Sequence, residues 1–186
     1  MKKQIKILSL FFITFFSKLG VSAEAAAAPL SLDDIFRSKY SEVFRRVIQE
    51  TLVFANHEGV PAGRKTIGVH DGCFHCDEVL GCSLLKLLPE LKDAVIVRTR
   101  KAEELAKCDY VLDVGGVYDP DTLRFDPHQK GFFEVFIPGV TKTKLSACGL
   151  IFKEFGRKIL KQLYPSKVST PADLEFFVLG MYKRMI

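Results

Sequence analysis

This chain has few of the features that would place it quickly. Its five cysteines, Cys73, Cys76, Cys82, Cys108 and Cys148, are odd in number and show no paired spacing. That excludes a disulfide framework and leaves reduced thiols in or near a core. The apolar run Ile7–Phe16 is too short for an ordinary membrane span. No internal repeat occurs, and no low-complexity tract beyond Ala25–Ala28. Strong charge is also missing. The net charge of +5 suits a nucleic-acid or phosphate partner but is no basic footprint by itself.

What is present is enough for one domain. The 186 residues are 48% hydrophobic, which supports a single sizeable core. Residues 1–28 form a leader. Lys2, Lys3 and Lys6 precede the apolar run, and Val21-Ser22-Ala23 resembles a cleavage site, as in a secretory signal. The lack of any acid before Glu24 also fits a mitochondrial presequence, although the leader has no arginine. Residues 29–60 are expected to form an amphipathic helix. Ser31 is its N-cap, and Ile35, Phe36, Tyr40, Val43, Phe44, Val47, Ile48 and Leu52 form its apolar stripe. It would pack on the domain; a membrane-surface or partner-binding helix is the alternative.

Residues 61–186 are organised around Ile67–Ser83. Its β-branched start runs into His70-Asp71-Gly72, then His75 and Asp77, and a helical pattern begins at Val79. This is strand, tight loop, helix, with polar residues where open α/β sheets bind ligands. Ala94–Thr99 and Tyr110–Val114 read as further strands, with a short helix over Lys101–Lys107 between them. Alternation of this kind predicts an α/β three-layer domain with a mostly parallel sheet. Asp119-Pro120-Asp121 reads as a hairpin turn. Ser146 and Thr170-Pro171 open two more helices. The apolar face of the last one would favour homo-oligomers.

His70, His75 and Asp77 are spaced to converge on a divalent ion, Asp113 at a later strand end can reach the same sheet edge, and Asp126 and His128 lie past the hairpin. Histidine with aspartate suits Mn²⁺, Zn²⁺ or Fe²⁺; aspartate with water suits Mg²⁺. Taken singly, each has a plainer reading, Asp77 as a helix cap above all. Cys73 and Cys76 form C-x-x-C at a helix start, but no thioredoxin strand pattern surrounds them, and small buried thiols are expected. Gly115-Gly116 could cradle phosphate or simply turn the chain. Arg98, Arg100, Lys101, Lys142 and Lys144 could meet phosphates or line a solvated face.

Five blocks then occur in order: IGVHDGCFHCDEVLGCSLLKLLPE, IVRTR, CDYVLDVGGVYDP, LRFD-x-HQKGF and TKLSACGLIFKEFG. From Arg64 to Gly156 the chain resembles the melanocyte proliferating gene family of exonucleases, a branch related to the DHH (Asp-His-His) phosphoesterases. The resemblance implies a DHH-phosphoesterase-like fold, to which the N-terminal helix is extra, since residues 1–60 have no counterpart in the family. It implies 3′-to-5′ hydrolysis of RNA, with RNA as substrate, in mitochondrion and nucleus; no integral membrane association is expected, because the apolar run is too short. The cofactor it implies is a divalent metal of the Mn²⁺ type, with Mg²⁺ as alternative. The implied metal ligands are His70, His75, Asp77, Asp113 and Asp126, with Asp113 bridging two ions and acting in catalysis. His128 is implied to contact the scissile phosphate.

Two departures from that pattern carry expectations of their own. Pro127 stands where the family motif has a histidine ligand. The family also continues to a further aspartate motif and a substrate-binding domain, whereas this chain ends at Ile186. Both losses fall on one ion, which would keep only Asp77 and Asp113. The expectation is an impaired enzyme with one metal or none. The competing reading is a non-catalytic remnant that binds RNA, nucleotide or a protein partner. The family location conflicts with the secretory look of the leader, and the family is given the greater weight.

Overall fold

The computed structural model describes residues 51–185. The expected leader, and the expected helix as far as residue 50, lie outside the described residues. The end of that helix, residues 51–60, is described and is not helical. Instead Val53–Phe54 is an edge strand, β1. Its residues pair in parallel with Ile96 and Val97, and the Leu52 carbonyl accepts the Ile96 N–H at 2.9 Å. The apolar stripe read as helix ends at Leu52, and beyond it the neighbouring strand captures the backbone.

The remaining elements follow the predicted alternation. They are β2 (Thr66–Val69), α1 (Cys76–Lys86), β3 (Val95–Arg98), α2 (Ala102–Leu105) and β4 (Tyr110–Leu112). Then come β5 (Tyr118–Asp119), β6 (Arg124–Phe125), α3 (Ala147–Leu163) and α4 (Pro171–Met185). The six-stranded sheet has the order β1-β3-β2-β4-β6-β5, parallel except for β5 at one edge. The hairpin expected at Asp119-Pro120-Asp121 forms. Asp119 accepts the Asp121 N–H at 3.1 Å and the Thr122 hydroxyl at 2.7 Å. Leu123, at φ 60°, closes it.

From β2 the chain crosses to β3 on one side and then returns past β2 to β4 on the other. The carboxyl ends of β2 and β4 therefore flank a switch point, the place where such sheets open a crevice. Helices cover both sheet faces. Leu105 of α2 packs with Val97, Cys108, Val111 and Val114 in one cluster, joined by Val60. On the other face Phe155 of α3 meets the rings of Phe125 and Tyr110 edge-on. Among the described residues no helix is long and apolar enough to cross a membrane.

Helix α1 lies against α3 at Gly81. A Cβ there would collide with Leu112 Cδ1 and sit 3.6 Å from the Cys148 backbone. In an exposed helix, alanine in place of glycine is favourable by about 1 kcal/mol. Here Gly81→Ala is expected to cost about 1–3 kcal/mol through overpacking. Urea unfolding of the variant checks this, and a raised midpoint would refute the close approach.

Candidate metal centre

His70 follows β2 directly and is 3% exposed. Its Nδ1 lies 2.8 Å from the carbonyl oxygen of Asp71. A carbonyl only accepts, so Nδ1 carries the proton and Nε2 presents a lone pair. That lone pair faces Asp113 Oδ2 at 3.4 Å and Glu78 Oε2 at 3.6 Å. Three electron-rich atoms thus face one another in a buried space. Both His70 Nε2 and Asp113 Oδ1 lack a hydrogen-bond partner. Such a set is satisfied when a cation sits among its members.

Asp113 directly follows β4 with φ 59°, a left-handed conformation uncommon outside glycine. The turn continues through Gly115 and Gly116, both also at positive φ. This backbone aims the carboxylate across the switch point. One oxygen faces His70, and the other, Oδ1, lies 3.4 Å from His128 Nδ1. Asp126, after β6, accepts the Gly116 N–H at 2.6 Å through Oδ2 and faces His128 Nδ1 at 2.7 Å through Oδ1. The Gly115-Gly116 turn therefore spends a peptide N–H on Asp126 rather than presenting it to phosphate.

Two groups of donors result: His70, His75, Glu78 and Asp113, and Asp113, Asp126 and His128. Within each, the donor atoms lie within 4.8 Å of one another. Ligands about 2.1 Å from an ion stand roughly 3.0–3.5 Å apart, so modest contraction would close either group. The residues fit a divalent metal. Asp113 belongs to both groups, in the place of a bridging ligand. The second group retains three donors with proline at 127, more than the two that the family pattern leaves.

Glu78 is the residue that sequence reasoning missed. Its two oxygens accept the His75 N–H at 2.9 and 2.8 Å, closing the amino end of α1. It is 1% exposed and faces Arg98 Nη1 at 3.5 Å. The signal was Glu three residues after the cap, which reads as helix chemistry. Asp77, expected as a ligand, is in neither group. Its carboxylate accepts the Ser146 hydroxyl at 2.9 Å and the N–H groups of Ala147 and Cys148 at 3.0 and 2.6 Å. It caps α3 from across the fold, and Ser146, read as that helix's cap, makes no side-chain cap bond of its own.

Other expectations also shift. Cys73 and Cys76 are exposed free thiols rather than buried ones, because the loop before α1 lies at the surface. Arg100 pairs with Asp71 at 3.0 Å. Lys144 stands over the Phe132 ring at 5.5 Å from its centre.

Burial above all, with the nearby Asp77 and Glu78 charges adding to it and His128 and His70 opposing, leaves the Asp113 carboxyl pushed up to about 6. In the metal-free chain this group favours folding when protonated. Its contribution is present at about pH 4 and lost as pH rises through about 6. Metal binding has the opposite sign, since the ion must displace the proton. Apparent Mn²⁺ affinity is expected to fall about tenfold per unit below about pH 6. Calorimetric titrations between pH 5 and 8 would check it; a flat profile would remove Asp113 from the ligands. Separately, Asp77→Ala is expected to destabilise the metal-free chain by about 1–2 kcal/mol through the lost cap of α3, measured by urea unfolding in chelator.

A mostly parallel sheet whose strand ends gather two donor groups around one carboxylate defines an α/β protein with a candidate dinuclear metal centre. The MYG1 exonuclease family model, described as "Uncharacterised protein family (UPF0160)", matches residues 66–186. The chain belongs to this family. It is 57% identical over 101 residues to the MYG1 exonuclease of Homo sapiens, covering 52% of this chain and 27% of that protein. The MYG1 protein of Saccharomyces cerevisiae is 46% identical over 122 residues, 66% of this chain and 35% of that one. The MYG1 protein of Caenorhabditis elegans is 40% identical over 124 residues, 64% of this chain and 36% of its own length. The chain thus spans little more than a third of these curated relatives at most. No solved structure gives a significant match.

Proposed function

We propose that this chain carries the metal centre of an exonuclease that hydrolyses phosphodiester bonds of RNA from the 3′ end, with Mn²⁺ as the preferred ion. The observation that carries this reading is Asp113. Its two oxygens face two separate donor groups, and one of those groups holds the orphaned Nε2 of His70. Relatives matching more than half of this chain are called exonucleases. Bound divalent ions would supply Lewis-acid charge at the phosphoryl oxygens and lower the pKa of the attacking water.

The chain's own residues have distinct tasks in this reading. His70, His75, Glu78 and Asp113 hold one ion, with the Asp71 carbonyl fixing the His70 tautomer. Asp113, Asp126 and His128 hold the second site. His128 Nδ1, which faces Asp126 in the metal-free chain, would turn to the ion, and the other edge of this 67% exposed side chain would be left to meet a scissile phosphate. Arg98, with Nη1 3.5 Å from Glu78 Oε1, helps hold that carboxylate in place. Activity in mitochondrion and nucleus belongs to the same proposal.

Pro127 favours a second reading, metal-dependent binding without turnover, because it offers the second group no side-chain donor. The full chain with Mn²⁺ and single-stranded RNA labelled at either end separates the two. Progressive shortening from the 3′ end is expected. Asp113→Asn should reduce the rate at least 100-fold, beyond the roughly 10–100-fold typical of outer-shell partners. Pro127→His should strengthen the second ion and raise turnover. Mn²⁺ and RNA binding with no cleavage in the chain or in Pro127→His would leave the binding reading; no Mn²⁺ binding would remove both.

A further inference from the structure

We propose that Phe74, fixed by Arg98, is a stacking platform for a nucleobase of single-stranded nucleic acid engaged at the metal centre. This rests on the phosphodiester reading above. Phe74 immediately precedes His75, yet its side chain stays in water at 44% exposure. It is not left loose there. The Arg98 guanidinium carbon lies 3.6 Å from the ring centre, so one face of the ring is covered by a cation.

Arg98 is itself held from two sides. Its Nη2 donates to the Gly72 carbonyl at 3.1 Å, and its Nη1 faces Glu78 Oε1 at 3.5 Å. The Arg98 side chain is only 10% exposed, so the exposed surface of the pair belongs to the phenylalanine. Gly72, at φ 86°, makes the turn that carries Phe74 over the arginine. The contacts run from Glu78, a member of the first donor group, through Arg98 to the ring. The platform is therefore anchored to the atoms that would hold the metal.

A rigid aromatic face offers base stacking without the entropy cost of ordering a mobile side chain. Stacking of this kind accepts any base, since every base has a π face. Phe133 and Phe176 are more exposed still, but among the described residues the rings with a cation over them are Phe74 and, at the longer distance of 5.5 Å, Phe132. The ligand class is therefore a sequence-tolerant single strand with its phosphate at the donor groups and a base on Phe74.

The test uses the full chain with Mn²⁺ and short single-stranded RNA carrying 2-aminopurine at one end or the other. A matched strand with an abasic residue at that end is the control. For one of the two end positions, binding should quench the fluorophore. Phe74→Ala should then weaken that strand about tenfold and leave the abasic strand unchanged. Phe74→Trp should retain the affinity. Equal weakening of both strands, or no weakening while metal-dependent binding persists, overturns the platform and leaves the phosphodiester reading standing. Failure of the unsubstituted chain to bind either strand in a metal-dependent way overturns both.

Discussion

Three buried carboxylates at one edge of a sheet are the constraint around which this fold is arranged. Glu78, Asp113 and Asp126 are each at most 5% exposed, and burial of charge is costly unless it is compensated. Each is met differently. Glu78 takes the amino-terminal N–H of α1 and the Arg98 guanidinium. Asp126 takes a peptide N–H from the glycine turn and the His128 ring. Asp113 takes histidines on both sides and is left with an unpaired oxygen. The helix start, the glycine pair and the left-handed residue after β4 all follow from serving these groups.

The same economy explains why Asp77 does something other than its neighbour. Residues 77 and 78 are adjacent on α1 and must point to different sides of the helix start. Glu78 turns back to the loop and the donor group, while Asp77 reaches across to the amino end of α3. One carboxylate thus serves the candidate site and the next one joins two helices. A negative charge at that helix terminus is favourable in its own right.

The sheet was legible in sequence because β2, β3 and β4 are short β-branched runs separated by helical patterns. The hairpin was legible from Asp119-Pro120-Asp121, whose turn chemistry is local. His70 and Asp113 could be singled out because strand ends in a parallel sheet converge, and His75, Asp126 and His128 fall with them in the two donor groups. What stayed hidden depended on partners distant in sequence. Val53–Phe54 falls within the helix expected over residues 29–60 and forms a strand by pairing with the edge of β3. The role of Asp77 depends on residues 69 to 71 positions away. Glu78 was concealed in the opposite way, since its capping role accounts for it fully without any site.

The strand order has a consequence for how the site keeps its dimensions. His70, Asp113 and Asp126 follow β2, β4 and β6, which are consecutive neighbours in the sheet. Adjacent strands stand about 4.8 Å apart, set by backbone hydrogen bonds and indifferent to side chains. Ions in two-metal sites stand about 3.5–4 Å apart. With a carboxylate on the middle strand offering one oxygen to each side, the sheet acts as a ruler for the donor groups. Helices and loops can drift in sequence while that spacing stays, because it is written in the backbone.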